Sequence, residues 1–164
     1  MKHYNKLRST QLFSRQSGLL LKIGDLSENN SWQELPSSIC SVNNRIGFRV
    51  NFLRLEKSGL IKTKKIKRKT YVKLTEKGKF EYLRNKMTSS SKLPDGLICI
   101  VVFDIPEKEK LLRDSLRKFL IESAFIPIQK SVLISQFNDA ASMKKMFKML
   151  KIEKWVRVFE AREI

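Results

Sequence analysis

The stretch Leu60-Ile-Lys-Thr-Lys-Lys-Ile-Lys-Arg-Lys-Thr-Tyr-Val-Lys-Leu74 decides how the chain is read. After Gly59 the helical period is lost, and both arms of this stretch have the β-branched and apolar composition of strands. Two strands are predicted, Leu60–Ile66 and Thr70–Leu74, joined by Lys67-Arg68-Lys69. Seven cations, Lys62, Lys64, Lys65, Lys67, Arg68, Lys69 and Lys73, crowd into twelve residues of this hairpin. Lysines also guard edge strands against aggregation, so the residues on either side must decide between the two readings.

Upstream, a helix is expected from about Asn44 to Ser58, with Gly59 in the position that commonly follows a helix end. Phe48, Phe52 and Leu55 form its core-facing stripe. Asn43, Asn44, Arg45, Arg49 and Asn51 are side chains able to read base edges or clamp phosphates. Ile46, Val50 and Leu53 make the helix apolar on more than one side, so the groove-facing side stays open. An earlier helix is expected over Leu7 to Gly24. Leu12, Leu19, Leu20 and Ile23 lie on one face, Arg8, Arg15 and Lys22 on another, and Gly24 is its stop. A polar stretch, Asp25–Ser31, leads to a short helical piece between Trp32 and Cys40, interrupted by Pro36. Downstream, Thr75 caps a helix over Glu76–Lys86 with Phe80 and Leu83 turned inward. Helix, helix, helix, strand, strand, helix is the order of a winged helix-turn-helix. That fold lays one helix in the DNA major groove and its hairpin on the phosphates.

The charge agrees with this placement. Over 164 residues the formal net charge is +18, which favours a polyanionic partner. Residues 1–92 hold 21 Lys and Arg against 6 Asp and Glu, whereas residues 93–164 hold 13 against 10. The excess therefore sits in the front half. The longest apolar run, Leu97–Phe103, is far too short to span a membrane, and no apolar leader follows the basic start. The two cysteines, Cys40 and Cys99, suit a reducing cytoplasm better than a disulfide framework. The single histidine, His3, gives no basis for histidine-based metal or triad chemistry.

The Ser-rich segment 87–96, with Pro94 and Gly96 near its end, is expected to link a domain over 1–86 to one over 97–164. Leu97–Phe103 reads as a buried strand ended by Asp104-Ile105-Pro106. A helix follows over about Glu107 to Ser123, with Leu112, Leu116, Phe119 and Leu120 inward and Lys108, Lys110, Arg113 and Arg117 outward. Ile126–Gln129 and Ser131–Ser135 are strand-like, Asn138 or Asp139 caps a second helix, and Trp155–Ala161 is a last strand. The whole is an α+β chain, a winged helix-turn-helix followed by a ferredoxin-like β-α-β-β-α-β domain. The sheet face left bare in that fold invites a second copy.

Two groups of residues carry a family pattern. The run from Arg49 through Arg54, Leu55 and Gly59, with Arg68, Tyr71, Leu74, Thr75 and Gly78, resembles the winged-helix domain of the PaaX repressors. Phe103-Asp-Ile-Pro-Glu107, Leu116-Arg117 and Gln129-Lys-Ser-Val132 resemble that family's central domain, itself similar to the small CRISPR adaptation endonuclease of the Cas-two type. The resemblance spans roughly Leu7 to Glu160. It implies a dimeric repressor of double-stranded DNA whose ferredoxin-like domains pair, and it adds Arg54 to the DNA-facing candidates. This sequence stops after the ferredoxin-like domain, where larger family members continue, so the acyl-CoA sensing attached to that family is not an expectation here.

In the endonuclease family an aspartate at the end of the first strand is associated with a metal, and Asp104 looks like its counterpart. Two such carboxylates across a dimer axis could hold Mg²⁺. The plainer role is acceptance of backbone N–H groups at the strand-helix corner. No catalytic residue is assigned; Ser131 has no histidine to activate it, and Gln129 and Ser131 are expected to hydrogen-bond at a strand bend. The alternatives are a metal-dependent nuclease with a winged-helix arm, and an architectural protein that binds DNA without an operator.

Overall fold

In the computed structural model of the chain the described residues are 15–26, 31–36, 38–39 and 45–162. They fall into two units, divided between Asn85 and Lys86.

The front unit contains α1 (Arg15–Leu26), β1 (Gln33–Glu34), α2 (Arg45–Lys57), β2 (Ile61–Ile66), β3 (Lys69–Leu74) and most of α3 (Glu76–Thr88). Its antiparallel sheet has the order β1-β3-β2. Because side chains alternate across a strand, Ile61, Val72 and Leu74 point inward and are buried, together with Leu20 and Ile23 of α1 and Leu55 of α2. Each such side chain stabilises the fold by about 2 kcal/mol through the apolar surface it removes from water.

The junctions explain the punctuation in the sequence. Leu60 N–H donates to Leu55 C=O and Gly59 N–H to Glu56 C=O, both at 2.9 Å, with Gly59 at φ +68°. This is a Schellman end, closed by the buried pair Leu55 and Leu60. Thr75 Oγ1 accepts the N–H of Gly78 at 3.0 Å, capping α3 as expected, and donates to the carbonyl of Gly59 at 2.6 Å. One hydroxyl thus joins the end of α2 to the start of α3. A Cβ on Gly78 would lie 1.8 Å from the carbonyl oxygen of Leu60, which accounts for glycine in the Leu74-Thr-Glu-Lys-Gly78 pattern.

Three local expectations are corrected. The first helix does not stop at Gly24 but continues to Leu26. Glycine is needed there because a Cβ would lie 2.1 Å from the ring of Tyr82, whose hydroxyl donates to Asp25 at 2.7 Å. The piece after Trp32 is not helical at Gln33–Glu34, which pair with Val72 and Tyr71 as an edge strand. Leu35 N–H then donates to Thr70 C=O, and Pro36, which has no N–H, leaves the ladder. The hairpin turn is two residues, Lys67-Arg68, since Lys69 already pairs with Ile66. The expected start of the first helix, including Arg8 and Leu12, falls outside the described residues, as do Asn43 and Asn44.

The rear unit contains β4 (Leu97–Phe103), a 3₁₀ turn (Glu107–Glu109), α4 (Lys110–Glu122), β5 (Ile126–Gln129), β6 (Val132–Ser135), α5 (Ala140–Met149) and β7 (Val156–Arg162). Its antiparallel sheet runs β5-β6-β4-β7, the ferredoxin-like order expected for β-α-β-β-α-β. Cys99, Val101, Phe103 and Leu133 are buried on one face together with Leu116 and Leu120 of α4 and Met143, Met146 and Phe147 of α5. Both helices end as α2 does. Phe125 N–H donates to Leu120 C=O behind Ala124 at φ 64°, and Ile152 N–H to Phe147 C=O behind Lys151 at φ 56°.

The segment read as a linker is bonded into this unit. Lys92 bridges to Phe137, Leu93 N–H donates to Gln136 C=O, and Asn138 N–H donates to Ser91 C=O. Asp139 takes the N-cap position of α5, but its side chain makes no capping bond.

Candidate nucleic-acid interface

Two surfaces of the front unit gather cations. On α2 the successive 100° rotations place Arg49, Leu53, Ile46, Lys57, Val50 and Arg54 within a sector of about 140°, opposite Leu55. All six are exposed, whereas Leu55 is fully buried. Arg49, Arg54 and Lys57 have no acidic partner among the described residues. The one acid on the helix, Glu56, accepts a hydrogen bond from Thr63 Oγ1. Asn51 stands at the shoulder of the sector and is half-buried, so it belongs to the edge of this face. The backbone of Arg45 opens the helix.

The second surface is the outer face of the sheet. The register places Lys62 opposite Lys73, Lys64 opposite Tyr71, and Ile66 opposite Lys69, all pointing away from the core. Lys65 shares a face with the buried strand positions but lies near the tip and is exposed, as are Lys67 and Arg68 in the turn. Lys69 is partly neutralised by Glu34 at 2.9 Å, whose hydrogen bond and charge also hold its ammonium above the usual lysine range. The Lys64 ammonium sits 4.5 Å from the centre of the Trp32 ring and 5.8 Å from that of Tyr71, a cation–π arrangement that fixes its direction. Among the described residues Lys62 and Lys73 have neither device. Like charges directly opposite in a sheet destabilise it, so this pair is a local liability in the absence of an anion.

The sequence singled out Arg49, Arg54 and the hairpin cations. It missed Lys57, which the helical angle alone would have grouped with Arg49, Val50 and Arg54. It also missed Trp32 and Glu34, because β1 is too short to show a period.

In the rear unit Asp104 is exposed at the end of β4, and its backbone N–H donates to Trp155 C=O at 2.9 Å. Its carboxylate accepts no hydrogen bond from the described residues, so the expected corner bonds are not made. Its acidic neighbour Glu107 is occupied by Arg113 at 2.8 Å, and that guanidinium lowers the Glu107 carboxyl below its ordinary range. Among the described residues no three His, Cys, Asp or Glu side chains gather closely enough to hold a metal ion. A groove of about 530 Å³ is lined by Glu107, Arg113, Asp114, Arg117, Lys130 and Ser131 but not by Asp104.

The pattern residues of this unit have structural work. Arg117 donates to the backbone carbonyls of Gln129 and Lys130, and Phe103 N–H donates to Ser131 C=O at 3.0 Å. The strand bend is thus held through the carbonyls of Gln129 and Ser131, not through their side chains. The other sheet face carries Ile98, Ile100 and Val102 of β4, Val132 and Ile134 of β6, and Phe159 of β7, all only partly buried; Phe159 is 51% exposed.

Strand order and helix placement define the rear unit as a ferredoxin-like domain. More narrowly, residues 92–164 match the family described as the PaaX protein central Cas2-like domain. No curated protein matches the chain. Among the described residues no helix is long and apolar enough to cross a membrane.

Proposed function

We propose that the chain is a cytoplasmic transcription regulator of the PaaX type, a repressor that binds double-stranded DNA as a homodimer and carries no catalytic site. In this reading the front unit is a winged helix-turn-helix over residues 1–86. Its helix α2 enters the major groove, and its hairpin is the wing on the phosphates. The rear units pair through the bare apolar face of the sheet. Two readers would then face half-sites about 34 Å, or a multiple of that, apart.

The observation that carries the reading is the unneutralised pair Lys62 and Lys73, on the same unit as a helix face bearing Arg49, Arg54 and Lys57. Each phosphate contact contributes about 0.9 to the slope of log affinity against log salt. Replacing Lys62 and Lys73 by Gln is expected to lower that slope by nearly 2 for any duplex. Replacing Arg49 is expected to weaken the preferred sequence more than random DNA. Equal losses on all sequences from both changes would remove specific reading, and no duplex binding at moderate salt would remove the proposal.

A further inference from the structure

The exposed sector of α2 holds more than cations. Ile46 is 81% exposed, Val50 41% and Leu53 44%, at spacings of four and three residues. They form an apolar ridge between Arg49 on one side and Arg54 on the other. On a solvated helix such a ridge leaves apolar surface in water without compensation.

We infer that Ile46, Val50 and Leu53 read thymine methyl groups in the DNA major groove. The inference rests on the DNA-binding reading above and names the base chemistry that it leaves open. In the major groove thymine is the base that offers an apolar group, its C5 methyl, and apolar side chains contact it. The rim selects the occupant. Arg49, Arg54 and Lys57 are exposed without an acidic partner, so whatever covers the ridge must also meet three cations. A second copy of the same helix would set these cations against their own kind, whereas a duplex offers phosphates beside methyl groups. The ridge is about 11 Å long from Ile46 to Leu53, at 1.5 Å per residue, and so crosses about three base pairs. The preferred site is therefore expected to hold consecutive thymines, on one strand or both, under each copy of α2.

The test uses the full chain and a duplex that it selects from random DNA. The same duplex is then synthesised with deoxyuridine in place of thymidine, which removes only the C5 methyl groups. Affinity is expected to fall about fourfold for each contacted methyl group, the effect of burying one such group. The Ile46→Ala, Val50→Ala variant should discriminate less between the two duplexes, keeping only the contact of Leu53; these side chains lie on the surface, so the fold survives the change. Equal binding of thymine and uracil duplexes by the unmodified chain overturns the inference and leaves DNA binding standing. Failure to bind either duplex overturns both. If the double variant instead loses a self-association seen by sedimentation, the ridge is an interface between copies and the inference falls.

Discussion

Ser90 Oγ donates a 2.5 Å hydrogen bond to the carboxylate of Asp139, a side chain 49 residues further on and fully buried. The same hydroxyl lies 2.8 Å from the carbonyl of Met87. The bond ties the segment after α3 to the first turn of α5. A hydrogen bond to a charged group contributes about 2 kcal/mol. Ser90→Ala should therefore lower stability by about that much in urea unfolding, and Ser90→Thr should recover part of it. An unchanged midpoint for Ser90→Ala would show that the bond contributes nothing.

Thr75 serves two helices at once, so its loss should exceed that of a simple cap. Thr75→Val keeps the shape, forfeits both bonds and should cost about 1–2 kcal/mol, whereas Thr75→Ser should be nearly neutral. Gly78→Ala presses a methyl group into the carbonyl of Leu60 and should cost about 3 kcal/mol. Thermal unfolding of the four proteins orders them; Gly78→Ala falling above Thr75→Val would contradict the close approach.

Lys151 holds a left-handed backbone that glycine adopts without strain. An L-residue there costs about 1 kcal/mol or more. Lys151→Gly is expected to stabilise the chain by about 1 kcal/mol, and Gly59→Ala, at the equivalent place in α2, to destabilise it similarly. Denaturant titrations with the same sign for both changes would contradict the assignment.

Burial pushes the Cys99 thiol up to about 12, and the charges of Asp139 and Glu160 add to it against the opposing pull of Lys144. An unfolded thiol ionises near pH ~8.5. The folded chain therefore keeps a proton that the unfolded chain gives up, and stability falls as pH rises from about 8.5 towards 12. Below that window the group adds no pH dependence. In a Cys40→Ser background, Cys99 should resist thiol reagents at pH 8 until the chain unfolds. Cys99→Ala should flatten the alkaline fall. Rapid labelling of the native protein would place Cys99 at the surface.

Phe159 projects from β7 beside Ile100 on the bare face of the rear sheet. Phe159→Glu removes little packing within one chain but sets charges against each other across a pairing of two such faces. Sedimentation should show a dimer become a monomer with unchanged circular dichroism. A chain that is monomeric before the substitution rules out the pairing.

The hairpin was legible because β-branched and apolar residues persist in a run of lysines, and the rear domain because continuous apolar runs alternate with amphipathic helices. Even there the turn shifted by one residue, since Lys69 looks no different from a turn residue until its pairing with Ile66 is known. β1 was illegible because two residues have no period. Gly24 was misread as a helix stop because a glycine spared for a neighbouring ring looks the same in sequence as one that ends a helix. Which side of α2 is exposed stayed open because Ile46, Val50 and Leu53 imitate core residues; only the burial of Leu55 on the opposite side resolves it. The family pattern around Arg117 was visible as a pattern, but its use as a tie on two backbone carbonyls depends on a turn more than ten residues away.

The opposition of Lys62 and Lys73 has a thermodynamic corollary. A polyanion lying across them would remove a repulsion the free chain must carry, so on the proposed function the hairpin and its ligand would be linked, each favouring the other. Protection of the β2 and β3 amides against hydrogen exchange should accordingly rise with heparin as well as with DNA. Neutral substitutes at the two positions would make the hairpin firmer alone and less responsive to either.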